Sequence, residues 1–382
     1  MRRQRQSDEV DLSVNYAARL EHVGERIAEW VAAGQVNGAA IAVAYRGARV
    51  WEAYAGEARP GVASGPDVLW PLASISKVHA VAMIMALVER GELALGMSVE
   101  SVIPAFTREG KENVLLRHLV THTAGMIYQS PLHSERLTAH VPYDELIDES
   151  YVYPLMFAPG SKLSYSDYGI ALAARMAERV TGKDFVTLVD DLVIEPAGLA
   201  ATTFRPTGEQ REITAHVEGT YADGTDGAMY NSPYGLDLAH PAFGTVASVR
   251  DLLHFGLCFA PGGPRFLSDA TVRAMTVDQT GGHTPAVIPG FMDSQEPVPW
   301  GLGFMVAKAG NPFMPDLIPE GSYGHGGASG CTLWIDPVDD VAVAYVSNKH
   351  ALTGRPPFTR RLVSAVNMVL AALTRRDGSG DE

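Results

Sequence analysis

The chain has 382 residues, 46% of them hydrophobic and 19% charged, which excludes a disordered or fibrous protein and allows one large core or two small ones. The net charge of −14, with no lysine- or arginine-rich cluster inside the body, argues against a nucleic-acid partner. Two cysteines, Cys258 and Cys331, are too few for a disulfide framework and read as small buried apolar side chains. No apolar run approaches the roughly eighteen residues that a membrane span needs, so no membrane partner is expected. The opening MRRQRQSDEVDLS turns from basic to acidic without the apolar stretch of a secretory signal, so a cytoplasmic location is expected, with residues 1–12 flexible.

From Leu12 to Ala33 the apolar positions Leu20, Val23, Ile27, Trp30 and Val31 recur at three and four residues and Gly34 follows, which predicts an amphipathic helix. Two β-rich runs come next, Gly38–Tyr45 and Ala48–Tyr54, joined by Arg46-Gly47, a pair suited to a tight hairpin. Residues 78–199 read as mostly helical: Val81, Ile84, Met85 and Val88 stripe one helix, and Ile170–Val180 forms another that Gly182 ends. Thr207–Pro241 is rich in Gly, Tyr, Asp and Asn without periodicity, and reads as a long functional loop outside the core. A helix over Val249–Phe259, strands over Thr332–Ile335 and Val341–Ser347 around the turn at 336–340, and a final helix over Phe358–Leu373 complete the order. Residues 374–382 read as a frayed tail.

Ser74-Ile75-Ser76-Lys77 sets a hydroxyl and an amine three residues apart at a helix start, so one turn brings them to the same face. The positive end of the helix dipole disfavours an ammonium at Lys77 and favours negative charge developing on Ser74. Alone the pattern is weak, because a serine N-cap followed by a solvated lysine gives the same letters. His118 and His122 stand four apart on a predicted helix, but RHLVTH lacks the interposed glutamate of a zinc-protease motif and no further ligand cluster accompanies it. Capping and supporting hydrogen bonds are the expected roles of the two histidines, and no metal or organic cofactor is expected.

The segment WPLASISKVHAVAMIMALVERGELAL resembles the nucleophile region of the serine β-lactamase, penicillin-binding protein and family VIII esterase superfamily, in its class C β-lactamase branch. Three further segments resemble it in the same order: LLRHLVTHTAGM, then FAPGSKLSYSDYGIALAARMAERVTG, which carries Tyr165-Ser166-Asp167, then YGHGGASGCTLWIDP. In the last, His325-Gly326-Gly327 stands where penicillin-recognising members carry Lys-Thr-Gly.

The resemblance implies an α+β fold: an antiparallel sheet flanked by helices and formed from both chain ends, residues 13–77 and 240–373, with a mostly helical lobe, 78–239, inserted between. It implies Ser74 as nucleophile, Lys77 and Tyr165 as proton handlers, and an oxyanion hole from the backbone N–H groups of Ser74 and Ala328. Tyr165 is the implied base. A free tyrosine has a pKa of about 10, so a phenolate needs a nearby cation such as Lys77, and which of the two holds the proton at rest stays open. Asp167, where Asn is usual, favours a protonated Lys77, and His325 replaces a fixed cation with a pH-dependent one. With Asp167, His325, Gly326 and Gly327 lining the substrate cleft, the expected partner is a small-molecule acyl donor and the expected reaction is hydrolysis of small esters or amides. Acyl transfer to an alcohol or amine, β-lactam or D-peptide hydrolysis, and a silent binding protein are the alternatives. Oligomeric state is left open.

Overall fold

A computed structural model of the chain describes residues 16–282, 298–308, 314–350 and 359–374. The flexible segment expected at residues 1–12, Phe358 at the start of the last helix, and all of the tail expected at 374–382 except Thr374 lie outside the described residues; Thr374 is the last residue of the Thr359–Thr374 helix rather than part of a frayed tail.

The strands, in chain order, are β1 (Gly38–Tyr45), β2 (Ala48–Arg59), β3 (Val62–Ala63), β4 (Trp70–Pro71), β5 (Thr202–Thr203), β6 (Val246–Ala247), β7 (Met305–Val306), β8 (Tyr323–Gly327), β9 (Cys331–Asp336) and β10 (Val341–Ser347). Seven of them form one sheet in the order β3-β2-β1-β10-β9-β8-β7, and every pairing in it is antiparallel. Strands from the two halves of the sequence meet where β1 pairs β10, from Ala39 opposite Ser347 to Tyr45 opposite Val341. The β1–β2 hairpin turns on Arg46 and Gly47 with φ of 52° and 77°, the left-handed pair that matches strand twist.

The period of two along β1 decides what covers each face. Ala39, Ile41 and Val43 join the core built with the Tyr16–Ala32 and Thr359–Thr374 helices, whereas Ala40, Ala42 and Ala44 face the larger core that includes the Val249–Leu257 helix. Both faces are covered, so β1 is buried along almost its whole length. A second, three-stranded sheet, β4-β6-β5, ties the run into the nucleophile segment to residues far along the chain.

Three expectations need correction. The Ser76–Glu89 helix carries no single apolar stripe; twelve of its fourteen residues are buried, because other elements surround it. Between residues 90 and 166 the α-helices have at most six residues, so much of that stretch is loop, its turns set by left-handed residues such as Arg108, Glu109, Gly110 and Gly125. The 207–241 segment is not outside the core: Ala215, Val217, Met229 and Tyr230 are buried in it, without the periodicity a helix or strand would have shown.

Candidate active site

The nucleophile turn is held from two sides. Ala73, fully buried at φ 46°, adopts a left-handed conformation that costs an L-residue energy, and Ser74 follows in a short 3₁₀ turn running into the Ser76–Glu89 helix. Leu72 N–H donates to Thr245 O at 2.8 Å, and Thr245 N–H donates to Ser76 Oγ at 2.9 Å, fastening the turn to the end of β6. On another side the β8–β9 hairpin closes on it, with Cys331 Sγ donating to Leu72 O at 3.0 Å and Ser329 Oγ donating to Pro71 O.

That closure explains one glycine and leaves the other to the cleft. A Cβ on Gly327 would lie 2.3 Å from Leu72 O and 2.4 Å from Cys331 Sγ, so only glycine lets β8 approach the nucleophile turn. A Cβ on Gly326 would meet nothing nearer than Cys331 O at 3.9 Å. The two neighbours therefore differ: close backbone packing requires Gly327, whereas Gly326 has open space. Ser74, Gly326 and Ala328 are the half-buried members of the predicted site; Lys77, Tyr165, Asp167, His325 and Gly327 are buried.

Lys77 Nζ donates to Ser74 Oγ at 3.0 Å and to Ala242 O at 3.0 Å, and pairs with Asp167 Oδ1 at 2.7 Å. The side chains of the ion pair are 0% and 6% exposed. Burial pulls the Lys77 pKa below its ordinary value while Asp167 pulls it back up; burial raises Asp167 while Lys77 lowers it. Asp167 opens the Asp167–Thr181 helix, where the N-terminal N–H groups favour a carboxylate. Ser166 caps that helix, its Oγ accepting from Gly169 N–H and donating to Ile127 O.

Tyr165 is 1% exposed, and the Lys77 ammonium sits 4.6 Å from its ring centroid. Its hydroxyl faces Ser74. Burial drives the phenol well above its ordinary pKa and the Asp167 carboxylate adds to this, against the hydrogen bond with Ser74. The cation expected to support a phenolate is therefore already neutralised by Asp167, and the environment holds Tyr165 as a neutral phenol at rest.

His122, Trp300 and His325 pack around Tyr165, with ring centroids 4.5, 5.6 and 6.1 Å away. His325 Nδ1–H donates to Gly326 O at 2.6 Å, and burial, then the Lys77 charge, pushes its pKa down to about 3. The imidazole is neutral.

The histidine pair separates. The helix bearing His118 is Leu116–Val120, and His122 lies beyond it at φ 58°, so the two do not share a helix face. His118 Nδ1 accepts from Leu115 N–H at 3.1 Å, and His122 Nδ1 accepts from Ser166 N–H at 3.2 Å, positioning the tyrosine motif. Among the described residues no group of three or more His, Cys, Asp or Glu could hold a metal ion. Two contributors went unread in the sequence. Ala242 acts through its carbonyl, which no residue type advertises, and Trp300 is an isolated aromatic without a pattern.

An antiparallel sheet closed against a Ser-Lys-Tyr cluster is the arrangement expected of a serine hydrolase with the β-lactamase fold. The chain belongs to the beta-lactamase family, whose model matches residues 23–367. It is 26% identical over 333 residues to esterase EstB of Burkholderia gladioli, covering 78% of this chain and 82% of that protein. It is 28% identical over 313 residues to penicillin-binding protein 4 of Amycolatopsis lactamdurans, covering 77% and 75%. Among solved structures, EstCE1, described as a hydrolase with promiscuous acyltransferase activity, superposes with a TM-score of 0.73 at 21% identity over 92% of this chain and 98% of that one.

Proposed function

We propose that this protein is a cytoplasmic serine hydrolase that cleaves small, uncharged carboxylic esters through an acyl-enzyme on Ser74, taking a small-molecule acyl donor as its partner and requiring no cofactor. The carrying observation is the charge state of the cleft. Lys77 is neutralised by Asp167 at 2.7 Å, and burial keeps His325 unprotonated, so neither supplies the lasting positive charge that would hold a substrate carboxylate.

Ser74 Oγ attacks the ester carbonyl, and the N–H groups of Ser74 and Ala328 receive the developing oxyanion. Lys77 and Tyr165 move the serine proton to the leaving alcohol, and water then releases the acid. The description of EstCE1 favours a second reading, in which an amine or alcohol intercepts the same acyl-enzyme.

The test pairs p-nitrophenyl esters with an active-site fluorophosphonate. Ser74→Ala should abolish turnover and labelling while leaving the fold intact, since the change removes one half-buried hydroxyl. Undiminished activity in that variant would assign the nucleophile elsewhere. Added amines, with products followed by mass, separate hydrolysis from transfer.

A further inference from the structure

We propose that Asp167 is the terminal acceptor of the serine proton, reached through Lys77, in a Ser74–Lys77–Asp167 relay. The inference rests on the reading of Ser74 as nucleophile and concerns how it is activated.

An ammonium has three N–H donors and no lone pair. Lys77 Nζ donates to Ser74 Oγ and Ala242 O, each at 3.0 Å, and is ion-paired with Asp167 Oδ1 at 2.7 Å. That count fits a charged lysine at rest, and a charged lysine accepts nothing from Ser74 until it gives up a proton. Of its three partners, Ser74 is the group being deprotonated, and an amide carbonyl is too weak a base to keep a proton. Asp167 remains.

The surroundings favour the move. Transfer from Lys77 to Asp167 turns a buried ion pair into two neutral groups, the direction in which burial displaces both. The neighbouring groups offer no alternative store. His122, His240 and His325 feel the charge on Lys77 and are kept from protonation by burial, while Tyr128, Tyr165, Tyr221 and Tyr230 feel Asp167 and are held as phenols.

As Ser74 Oγ bonds to the carbonyl carbon, its O–H proton passes to Nζ, one N–H proton passes from Nζ to Asp167 Oδ1, and the carbonyl π electrons move to oxygen. When the intermediate collapses, the bond to the alkoxy oxygen breaks. That oxygen takes the proton of the Tyr165 hydroxyl, which hydrogen-bonds with Ser74, as Lys77 gives one of its own to the phenol oxygen; Asp167 returns its proton to Nζ, and the resting ion pair is restored. Asp167, its side chain 6% exposed, acts through Lys77.

The test is the rate of Ser74 labelling by a fluorophosphonate in mixtures of light and heavy water, which needs no knowledge of the natural substrate. Two protons in flight give a curved dependence on deuterium fraction in the natural protein. Asp167→Asn should give a straight line and an acid limb absent from the natural protein, the rate falling about 10-fold per pH unit below the pH at which Lys77 loses its proton to solvent. Asp167→Glu should restore part of the rate and the curvature. A straight line in the natural protein, or equal curvature in Asp167→Asn, would overturn the relay. The natural protein and Asp167→Glu carry the test if Asp167→Asn does not fold. Absence of any labelling would instead sink the nucleophile assignment.

Discussion

Lys77→Met removes the cation from a carboxylate that is almost wholly enclosed, and its cost should depend on pH in a predictable direction. Losing one partner of a buried ion pair costs about 3–5 kcal/mol if the other stays charged. Asp167 has an escape, because it can take up a proton. Without Lys77, burial alone acts on the carboxyl and raises its folded pKa above the unfolded value of about 3.9. The folded state then binds the proton more tightly than the unfolded state. Stability is accordingly full below the unfolded pKa and falls as pH rises toward the folded one, by up to about 1.4 kcal/mol per pH unit. Ala242 O also loses its donor, an offset of about 1–3 kcal/mol that does not vary with pH. Urea denaturation across a pH series separates the two contributions. Lys77→Met should lose least in mild acid and most at neutral pH and above, and Lys77→Met/Asp167→Asn should keep the offset and lose the slope. A Lys77→Met curve parallel to that of the natural protein at every pH would refute the buried ion pair.

Tyr165→Phe keeps the ring among His122, Trp300 and His325 and removes only the hydroxyl, so kcat for ester hydrolysis should fall about 10²–10⁴-fold, about 3–5 kcal/mol of barrier, with KM and stability little changed; a near-normal kcat would free the phenol from proton handling. Because His325 is displaced to about 3, the profile of kcat/KM for an uncharged ester should show no histidine limb between about pH 5 and 8, and penicillin turnover should be low. Efficient penicillin hydrolysis would contradict the neutral cleft. Gly327→Ala should destabilise by about 1–3 kcal/mol in thermal or chemical melts, because its Cβ meets Leu72 O at 2.3 Å. Gly326→Ala, with 3.9 Å to its nearest neighbour, should stay within about 0.5 kcal/mol and show its effect in KM instead.

Much of the framework is legible along the chain because it rests on local periodicity. The helix at Tyr16–Ala32, the Arg46-Gly47 hairpin, the 336–340 turn and the Gly182 stop each depend on residues within a few positions of one another. The burial of the 207–241 segment is hidden from the sequence for the complementary reason. Met229 and Tyr230 are buried by elements distant in sequence, and an irregular backbone leaves no period that announces it. The helix of Lys77 shows the same limit, since a helix surrounded on all sides has no polar face to reveal its orientation.

The sequence by itself determined which side chains are available for the chemistry and their order: Ser74 and Lys77 one helical turn apart, the Tyr165-Ser166-Asp167 block, and the His325-Gly326-Gly327 strand. Spacing fixes such relations because a single turn of helix has one geometry. Only the tertiary structure decided the charge states. Ninety residues separate Lys77 from Asp167, and the 2.7 Å contact exists because two helix starts meet in the core, away from water. The same burial holds Tyr165 as a phenol and His325 as a neutral imidazole. A residue's letter carries its reference pKa, but desolvation and neighbouring charge set the working value, and both are properties of the folded surroundings.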